Sequence, residues 1–247
     1  MTLRGFFIAG TDTGVGKTRV TIGLLGALRE AGVRALGMKA VASGTDAAGR
    51  NEDAEHIRDA NARALAGNAT PAATSTGAPA QALRDAENPY CFEWPVSPHL
   101  AATRAGVSID PGRIAAAARA LAAQDALVLI EGTGGWLAPI GPGQTMADIA
   151  AALGLPVVLV VGLRLGCLNH ALLSARAIAS GPLPLAGWIA SHLERGMLAP
   201  DENIATLEER LPAPYLGLLA HSDSALNDAA QLAGAARALQ RQSAISR

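Results

Sequence analysis

The stretch GTDTGVGKT at residues 10–18 constrains the fold of this chain more than any other part of the sequence. It follows the short apolar run at residues 6–9 and opens into a segment with apolar residues at helical spacing. A strand, a glycine-rich loop and a helix in this order form a phosphate-binding loop, because the N–H groups of the loop and of the first helical turn converge on one anion. Lys17 is then predicted to reach the β- and γ-phosphates, and Thr18 to ligate the accompanying Mg²⁺.

The spacing of this loop departs from the usual pattern. The pattern G-x-x-x-x-G-K-[ST] requires a glycine at position 11, which is Thr11, and the nearest glycine is Gly10. An ordinary turn between a strand and a helix would account for the glycines, but not for Gly16, Lys17 and Thr18 at the start of the helix. We therefore interpret the stretch as a polyphosphate site.

The composition excludes several other ligands and locations. The 247 residues carry a formal net charge of −1, so no basic surface is expected for a nucleic acid or a membrane. The most apolar stretch, residues 149–163, is interrupted by glycines and a proline and is too short to span a bilayer. The first strand leaves no room for a signal peptide, and Cys91 and Cys167 form no CxxC motif. We expect a cytoplasmic protein.

Apolar runs and helical periodicities alternate along the chain. Strands are predicted at residues 6–9, 33–38, 126–130, 157–161, 185–189 and 216–219, and helices at residues 17–31, 52–65, 111–123, 167–180, 203–211 and 226–240. This alternation predicts a single α/β domain over residues 1–247, with a mostly parallel central sheet flanked by helices and with ligands at the carboxyl ends of the strands. Residues 67–81 show little periodicity and are expected to be mobile, and the prolines of residues 88–98 predict extended backbone.

Four polar residues follow strands or begin a helix, where this architecture collects its ligands. They are Lys39, Ser43, Asp53 and Glu131. Structural explanations also exist, since a lysine can end a strand, a serine can form a turn and the helix dipole favours an early aspartate. Mg²⁺ prefers one or two carboxylates together with phosphate oxygens, so Thr18, Asp53 and Glu131 form a suitable set of ligands. Lys39 is predicted to stabilise the charge that develops on a transferring phosphoryl group.

Seven blocks of sequence occur in order along nearly the whole chain. They are GTDT-x-VGKT at 10–18, K-x-VASG at 39–44, N-x-DA at 51–54, NPY-x-F-x-x-P-x-SPH at 88–99, EG-x-GGW at 131–136, LGC-x-NHA at 165–171 and LAGW at 185–188. Together they resemble the dethiobiotin synthetase family, including its spacing between Gly10 and Gly16. The resemblance implies a P-loop NTPase-like fold and an ATP-dependent cyclo-ligase that joins CO2 to 7,8-diaminononanoate through a carbamic–phosphoric anhydride, giving dethiobiotin, ADP and phosphate.

The resemblance also implies roles for individual residues. Lys17 and Lys39 would be catalytic, contacting the γ-phosphate and the carbamate, while Thr13 and Ser43 would bind the substrate. Mg²⁺ would be held by Thr18, Asp53 and Glu131. The residues expected to bind the nucleotide are Gly14, Val15, Gly16, Lys17, Thr18, Asp53, Glu131, Gly132, Thr133 and Gly134. The block at 88–99 is expected to pack over the substrate-carboxylate site at residues 166–169 or to form a structural loop.

Residues 166–169 begin a helix directly after a strand, and the free N–H groups of such a helix form an anion site. A plain helix start explains these residues equally well. In the family, Gly166, Cys167, Leu168 and Asn169 would grip the substrate carboxylate across a homodimer interface, with Cys167 as a backbone donor rather than a nucleophile. The five histidines show no spacing typical of zinc ligands.

The positions expected to contact the nucleotide base differ from the family pattern. Ser191 and His192 stand where the family usually presents asparagine and aspartate to adenine, and Ala220 replaces a proline in the loop that continues with His221 and Ser222. A serine hydroxyl is short and cannot reproduce the paired donor and acceptor that an asparagine amide offers to a purine edge. We therefore hypothesise that adenine selectivity is weakened and that CTP or other nucleotides are also accepted.

Two other functions are compatible with the same fold. A partition or septum-positioning ATPase would act as a nucleotide switch, but such proteins carry a second lysine early in the loop, where this chain has Asp12, and no basic or amphipathic terminal segment is seen. A cobyrinate-type amidating ligase would need a glutamine-hydrolysing domain, for which the C-terminal part offers no room. Dependence of phosphate release on the diamine would separate these functions from the cyclo-ligase.

Overall fold

A six-stranded sheet forms the centre of the fold. The computed structural model describes residues 3–66, 78–222 and 228–245. Along the chain the elements are β1 (Gly5–Gly10), α1 (Lys17–Glu30), β2 (Ala35–Lys39), β3 (Val41–Ser43), α2 (Glu52–Ala66), α3 (Ala78–Glu87), β4 (Tyr90–Phe92), α4 (Pro98–Arg104), α5 (Pro111–Ala122), β5 (Leu127–Glu131), β6 (Pro139–Gly141), β7 (Gln144–Thr145), α6 (Met146–Leu153), β8 (Val157–Leu163), α7 (Cys167–Ala179), β9 (Leu185–His192), α8 (Pro200–Arg210), β10 (Tyr215–Leu219), α9 (Asp228–Gln231) and α10 (Ala233–Ile245).

The strand order across the sheet is β10-β9-β8-β1-β5-β2, and every pair of neighbours is parallel. The predicted α/β fold with a mostly parallel central sheet is therefore confirmed. Every residue of β1, β5 and β8 is buried, because helices cover both faces of the sheet and a continuous apolar run suits such a position. The carboxyl ends of these strands lie at one edge, where β1 runs into the phosphate loop.

Two hydrophobic clusters fill the two faces of the sheet. One contains Phe7 and the buried sides of α5, α6, α7 and α8. The other contains Phe6 and the buried sides of α1 and α10. Phe6 and Phe7 are adjacent in β1, so the alternation of side chains along a strand sends one to each cluster.

Two small strand pairs extend the carboxyl edge of the sheet. β3 pairs with β4 in parallel, with Ser43 opposite Phe92, and β6 pairs with β7 antiparallel. The N–H of Gly44 donates to the Phe92 carbonyl at 2.9 Å, and a Cβ on Gly44 would lie 3.0 Å from Cβ of Pro95. This close packing holds the segment after β4 against the end of β3.

The edge strand β2 is completed by a side chain. Asn61 on α2 accepts from the N–H of Gly37 at 2.6 Å and donates to the Gly37 carbonyl at 2.9 Å. The same amide donates to Glu87 at 2.9 Å, and Asn61 is fully buried. Peptide groups on an edge strand are otherwise open to pairing with another chain. The amide therefore replaces a neighbouring strand at this point.

The predicted strands, and the predicted helices that precede residue 220, are confirmed, with two local corrections. The interrupted apolar stretch at 149–163 contains the predicted strand at 157–161 as part of β8, but its first part belongs to α6, a helix that was not predicted. Gly154 has a φ of +67° and ends α6 in the left-handed conformation. Pro98 was expected to continue an extended backbone, but it begins α4, because proline is well tolerated at the first position of a helix.

Two further predictions fall partly outside the described residues. Residues 67–77 of the stretch at 67–81 are not among them, and the remainder belongs to α3. The helix predicted at 226–240 begins before the described residues resume at 228, and from there it consists of the separate helices α9 and α10. Among the helices of the described part of the chain, none is both long and apolar enough to cross a bilayer.

Candidate active site

The phosphate loop joins β1 to α1 at the carboxyl edge of the sheet. Gly14 and Gly16 have φ values of +71° and +86°, in the left-handed region that glycine tolerates best. These turns place Lys17 at the start of α1. A Cβ on Gly16 would also lie 2.5 Å from Oγ of Ser191. The end of β9 therefore approaches the loop closely.

Gly10 accounts for the unusual spacing of the loop. A Cβ at this position would lie 2.9 Å from both Cδ and Nζ of Lys17, and 2.8 Å from Cγ2 of Val15. The lysine side chain folds back across the end of β1, which requires a residue without a side chain beneath it. Glycine is thus needed at position 10 because of the path that Lys17 takes.

The ammonium group of Lys17 is buried and held by neutral partners. It donates to the carbonyl oxygens of Asp12 and Gly134, both at 2.8 Å. Burial is the main cause that lowers the pKa of Lys17 from 10.5 to about 8; repulsion from Lys39 adds to the shift and attraction by Glu131 opposes it. The carbonyl groups orient the ammonium without cancelling its charge.

Lys39 and the three predicted metal ligands form one hydrogen-bonded cluster. The Nζ of Lys39 donates to Asp53 Oδ2 at 2.7 Å and to Glu131 Oε1 at 2.5 Å. The hydroxyl of Thr18 donates to the same Glu131 oxygen at 2.7 Å. The register of β2 against β5 places Lys39 opposite Glu131, while Thr18 and Asp53 come from the first turns of α1 and α2.

Burial and ion pairing act in opposite directions on this cluster. Burial alone would lower the pKa of Lys39, but the attraction of Glu131 and Asp53 outweighs it, so the pKa of Lys39 lies above its ordinary value. Burial alone would raise the pKa of Asp53, and Lys39 reverses the shift, so the pKa of Asp53 lies below its ordinary value. Lys39 and Asp53 are therefore both charged at neutral pH.

The oxygen atoms of this cluster fit Mg²⁺. Glu131 Oε2 is buried and has no hydrogen-bond partner among the described residues, so one acceptor remains available beside Thr18 and Asp53. Within residues 3–66, 78–222 and 228–245 no group of three or more His, Cys, Asp or Glu side chains is arranged to hold a metal. Two carboxylates completed by phosphate oxygens are the usual protein site for Mg²⁺, and this set has that composition.

A cavity of about 780 Å³ opens beside the phosphate loop. It is large enough for a small-molecule ligand. The predicted site residues that line it are Thr13, Gly14, Gly16, Lys17, Thr18, Lys39, Ser43, Asp53, Glu131, Thr133 and Gly134. Sequence reasoning assigned no site role to the other lining residues, which are Asp12, Arg19, Asn51, Pro95, Val96, Ser97, Gly135 and Ala138. Residues 95–97 place part of the block at 88–99 on the wall of this cavity, whereas none of residues 166–169 lines it.

Two predicted nucleotide-binding residues lie beneath the cavity instead of on its wall. Val15 is buried in the cluster that contains α1 and α10. Gly132 packs on Phe7, and a Cβ there would lie 2.9 Å from Cζ of the phenyl ring. Only the backbone groups of these residues are left to contact a ligand.

The residues predicted to contact the base end β9 or follow β10, and they lie outside the 780 Å³ cavity. Ser191 is buried against Gly16. His192 Nε2 and His221 Nδ1 are buried without a hydrogen-bond partner in the part of the chain that the structure describes. The N–H of Ala220, which precedes His221 and Ser222, donates to Gln231 at 2.7 Å. These residues therefore border the loop on the side away from Lys39.

Arg19 joins α1 to the segment after β10. Its guanidinium donates to the two carboxylate oxygens of Asp228 at 2.9 Å and 2.5 Å, and to the carbonyl of Ala220 at 3.3 Å. Asp228 is buried, and Arg19 also lines the cavity. The two charged residues are 209 positions apart, so no local pattern could predict their pairing.

The start of α7 differs in one detail from the prediction. Gly166 precedes the helix with a φ of +95°. The N–H of Cys167 donates to the Arg164 carbonyl at 2.9 Å, so this predicted backbone donor already has an acceptor. Leu168 and Asn169 follow in the first turn, whose N–H groups have no acceptor within the helix. They are the donors that remain for an anion.

Arg164 links the start of α7 to the phosphate loop. Its guanidinium forms an ion pair with the carboxylate of Asp12, and the other Asp12 oxygen accepts from the N–H of Thr13 at 2.7 Å. The bond from Thr13 and the pairing with Arg164 hold the pKa of Asp12 below its ordinary value, against the effect of burial. The two predicted anion sites are thus connected by one ion pair.

A larger cavity of about 980 Å³ lies at the opposite edge of the sheet, among the amino ends of the strands. Among the described residues that line it, Arg4 and Asp125 are the charged ones. None of the predicted site residues reaches it, and one cation beside one carboxylate is a poor setting for a polyphosphate. The cavity at the carboxyl edge is therefore the better candidate for a phosphate site.

Solved structures with the same architecture have very different sequences. The MinC:MinD cell division protein complex of Aquifex aeolicus matches with a TM-score of 0.56 at 15% identity, over 96% of each chain. A ParA family ATPase from Chlorobium tepidum matches with a TM-score of 0.51 at 12% identity, over 99% of each chain. At this level of identity the likeness shows the fold and nothing about the reaction.

The fold and the phosphate loop define a P-loop NTPase-like α/β protein. The family described as an AAA domain matches residues 4–227. Proteins named ATP-dependent dethiobiotin synthetase BioD are similar over almost their full lengths: one from Aromatoleum aromaticum is 47% identical over 95% of this chain and 97% of its own, and one from Cellvibrio japonicus is 42% identical over 93% and 95%. The chain belongs to the dethiobiotin synthetase family.

Proposed function

We propose that this chain closes the ureido ring of dethiobiotin from 7,8-diaminononanoate, CO2 and ATP, with ADP and phosphate as the other products. The observation that carries the proposal is the presence of two ammonium groups, Lys17 and Lys39, on the wall of one cavity that Asp53 and Glu131 also line. The names of relatives that are 42–47% identical support the same activity.

The reaction builds two bonds to one carbon atom. An amine of the substrate adds to CO2 and loses a proton, and the resulting carbamate is a poor electrophile because it is an anion. A carbamate oxygen then takes the γ-phosphoryl group of ATP, which forms a carbamic–phosphoric anhydride and releases ADP. The neighbouring amine attacks the carbonyl carbon and loses a proton while the bond to phosphate breaks. None of these steps needs a nucleophilic side chain, so proximity and charge stabilisation suffice.

Lys17 and Lys39 would supply the charge stabilisation. Lys17 would contact the γ-phosphate and Lys39 the carbamate, and one preorganised donor of this kind contributes about 3 kcal/mol to the transition state. Thr13 and Ser43, which line the same cavity, would bind the amine or carbamate end of the substrate. Their hydroxyl groups can either donate to a carbamate oxygen or accept from an amine.

Thr18, Asp53 and Glu131 would hold Mg²⁺, which when bound would supply positive charge against the β- and γ-phosphate oxygens. The buried and unpartnered Oε2 of Glu131 supports this assignment. The N–H groups of residues 14–18 would orient the phosphates. The N–H groups of residues 132–134 and the side chain of Thr133 would close the other side of the cavity.

The carboxylate end of the substrate would reach the first turn of α7. The N–H groups of Leu168 and Asn169 supply the donors, and Gly166 leaves room for an approaching ligand, since a Cβ there would have no atom within 4 Å. Leu165 is fully exposed and Leu173 on α7 is more than half exposed. Leucines exposed in this way favour contact with a second copy, so we include a homodimer at this surface in the proposal.

Base recognition would differ from the usual family pattern. Ser191, His192 and the loop of Ala220, His221 and Ser222 would surround the base, and none of them offers the paired amide donor and acceptor of an asparagine. We therefore propose that ATP is one of several accepted nucleotides.

The test uses the purified full chain with 7,8-diaminononanoate, bicarbonate, Mg²⁺ and ATP, and measures phosphate release together with the mass of the product. Release that depends on the diamine and a product with the mass of dethiobiotin are expected. Parallel reactions that omit one component at a time serve as controls. Phosphate release without the diamine would favour a nucleotide switch, and absence of the product with every nucleotide tried would overturn the proposal.

A further inference from the structure

The ammonium group of Lys39 lies among the three residues expected to bind the metal. Its Nζ is 2.7 Å from Asp53 Oδ2 and 2.5 Å from Glu131 Oε1. The hydroxyl of Thr18 donates to the same Glu131 oxygen at 2.7 Å. Asp53 and Glu131 therefore contact Lys39 directly, and Thr18 contacts the same Glu131 oxygen that Lys39 contacts. One positive charge is shared between two carboxylates.

Lys39 and Mg²⁺ compete for the same oxygen atoms. Mg²⁺ requires lone pairs at about 2.0–2.1 Å, and Lys39 already donates hydrogens to lone pairs of both carboxylates. Only 4% of Lys39 is exposed, so water would screen poorly the repulsion between the ammonium and a metal ion bound beside it. The ammonium has to leave the carboxylates when a metal ion binds them.

We propose that Lys39 is a placeholder for the metal. It neutralises Asp53 and Glu131 in the ligand-free protein and is displaced when Mg²⁺ enters together with the nucleotide. The inference rests on the proposed function for the identity of the metal and of its ligands. It adds that the free protein resists binding the metal alone, because the metal gains its full set of protein ligands only when the two ion pairs of Lys39 break.

The displaced ammonium stays within the cavity. Lys39 ends β2, and its backbone is fixed by pairing with β5, so only its flexible four-carbon stem moves. The buried Oε2 of Glu131 has no partner among the described residues and offers the incoming ion a first ligand before Lys39 leaves. Arrival of the metal thus frees a cation for the transferring phosphoryl group, which ties the use of Lys39 to a filled metal site.

The test measures the binding of Mn²⁺ alone, without nucleotide or diamine, to the full chain by electron paramagnetic resonance of the free ion. Lys39→Met removes the ammonium and keeps an apolar stem. It is expected to bind Mn²⁺ at least about tenfold more tightly than the unaltered chain, because affinity for a hard cation follows the charge of its carboxylate ligands.

Lys17→Met is the matched control. It removes a positive charge from the same cavity, but one whose partners are the carbonyl oxygens of Asp12 and Gly134, so a much smaller gain in Mn²⁺ affinity is expected. Equal or weaker binding by Lys39→Met would overturn the inference. An equal gain in Lys17→Met would overturn it as well, since a general charge effect would then explain both variants.

Circular dichroism checks the fold of each variant. If Lys39→Met does not fold, Lys39→Arg and Lys39→Gln take its place: arginine keeps a counter-charge and is expected to bind Mn²⁺ as weakly as lysine, while glutamine is expected to bind it more tightly. Equal Mn²⁺ affinities of Lys39→Arg and Lys39→Gln would contradict the proposal that Lys39 is a placeholder for the metal. The titration contains no substrate, so its result is independent of the product assay. A gain in Mn²⁺ affinity in Lys39→Met, together with an unaltered chain that forms no dethiobiotin, would leave this inference standing and remove the proposed function. No gain in Lys39→Met, together with an unaltered chain that forms dethiobiotin, would remove this inference alone.

Discussion

Replacing Gly10 with alanine is expected to disable the site and to leave the fold intact. The new Cβ would lie 2.9 Å from Nζ of Lys17, whereas the favourable separation of such atoms begins at about 3.5 Å. The ammonium must therefore retreat by roughly 0.6 Å from its place between the carbonyl groups. Gly10 is not among the glycines with positive φ, so alanine causes no backbone strain at this position and the effect arises from contact alone.

The size of the effect follows from this displacement. A misplacement near 1 Å in an active site can lower a rate by about 10²-fold, which corresponds to about 2.7 kcal/mol of transition-state stabilisation. The loss of stability is expected to stay at the low end of about 1–3 kcal/mol for overpacking. The atoms that must move are the end of the Lys17 chain and one methyl group of Val15, and both can shift without moving the backbone.

Diamine-dependent phosphate release and thermal melting of the Gly10→Ala variant test this reasoning. Gly234→Ala is the matched control, because Gly234 lies on α10 and a Cβ there would meet no atom within 4 Å. The control is expected to keep full activity and to gain about 0.5–1 kcal/mol of stability from the lower entropy of its unfolded chain. If Gly10→Ala turned over nearly as fast as the unaltered chain, the close approach would not govern the position of Lys17, and the explanation of the loop spacing would be wrong.

Three other outcomes are expected. Lys39→Ala should lower turnover by about 10²–10³-fold with an unchanged circular dichroism spectrum, because a preorganised cation is lost; retained turnover would contradict its assigned role. Steady-state kinetics with ATP, CTP and GTP should show similar values of kcat/KM, since Ser191 offers no paired amide, and a strong preference for ATP would count against this. Burial raises the pKa of Glu87 above 4.5, against a hydrogen bond from Asn61. As the pH rises, the Glu87 carboxyl therefore loses its proton in the unfolded chain before it does so in the folded chain. The free energy of unfolding falls between pH 4.5 and the raised pKa as a result. Melting of Glu87→Gln should match the unaltered chain below pH 4.5 and exceed it at neutral pH; a lower melting temperature at neutral pH would refute the assigned direction of the shift.

The sheet could be predicted because its central strands are continuous apolar runs that helices cover on both sides. The strand β8 was predicted at 157–161, but the helix α6 was missed. It is short and apolar and directly precedes the strand, so hydrophobicity alone does not mark it as a helix. The role of Asn61 could not be predicted for another reason. No sequence pattern marks an asparagine within a helix as the hydrogen-bond partner of an edge strand, and this role follows only from the packing of α2 on β2.

The grouping of the candidate site residues was predictable where it depends on the ends of strands. Lys39 and Glu131 end neighbouring parallel strands, so the rule that ligands collect at the carboxyl edge brings them together. Arg19 escaped prediction because its partner, Asp228, is 209 positions away. Asn51 was not predicted to line the cavity because an asparagine at the start of a helix is explained by capping alone. Its Oδ1 accepts from the N–H of Ala54 at 3.1 Å as a helix cap.

The different partners of the two lysines predict that they contribute to different steps. Two ammonium groups in one cavity repel each other, so each needs compensation when no ligand is bound. Lys39 has the carboxylates of Asp53 and Glu131, whereas within the described residues the ammonium of Lys17 donates to the carbonyl groups of Asp12 and Gly134 and to no carboxylate. A triphosphate would give Lys17 its first anionic partner, while Lys39 would exchange one set of anions for another.

Lys17→Ala should therefore raise the nucleotide dissociation constant by about 10²-fold or more, and Lys39→Ala should change it far less while lowering turnover. Titration of both variants with a non-hydrolysable ATP analogue and Mg²⁺ measures the difference; equal losses of affinity would mean that the ligand-free partners do not determine how each lysine contributes.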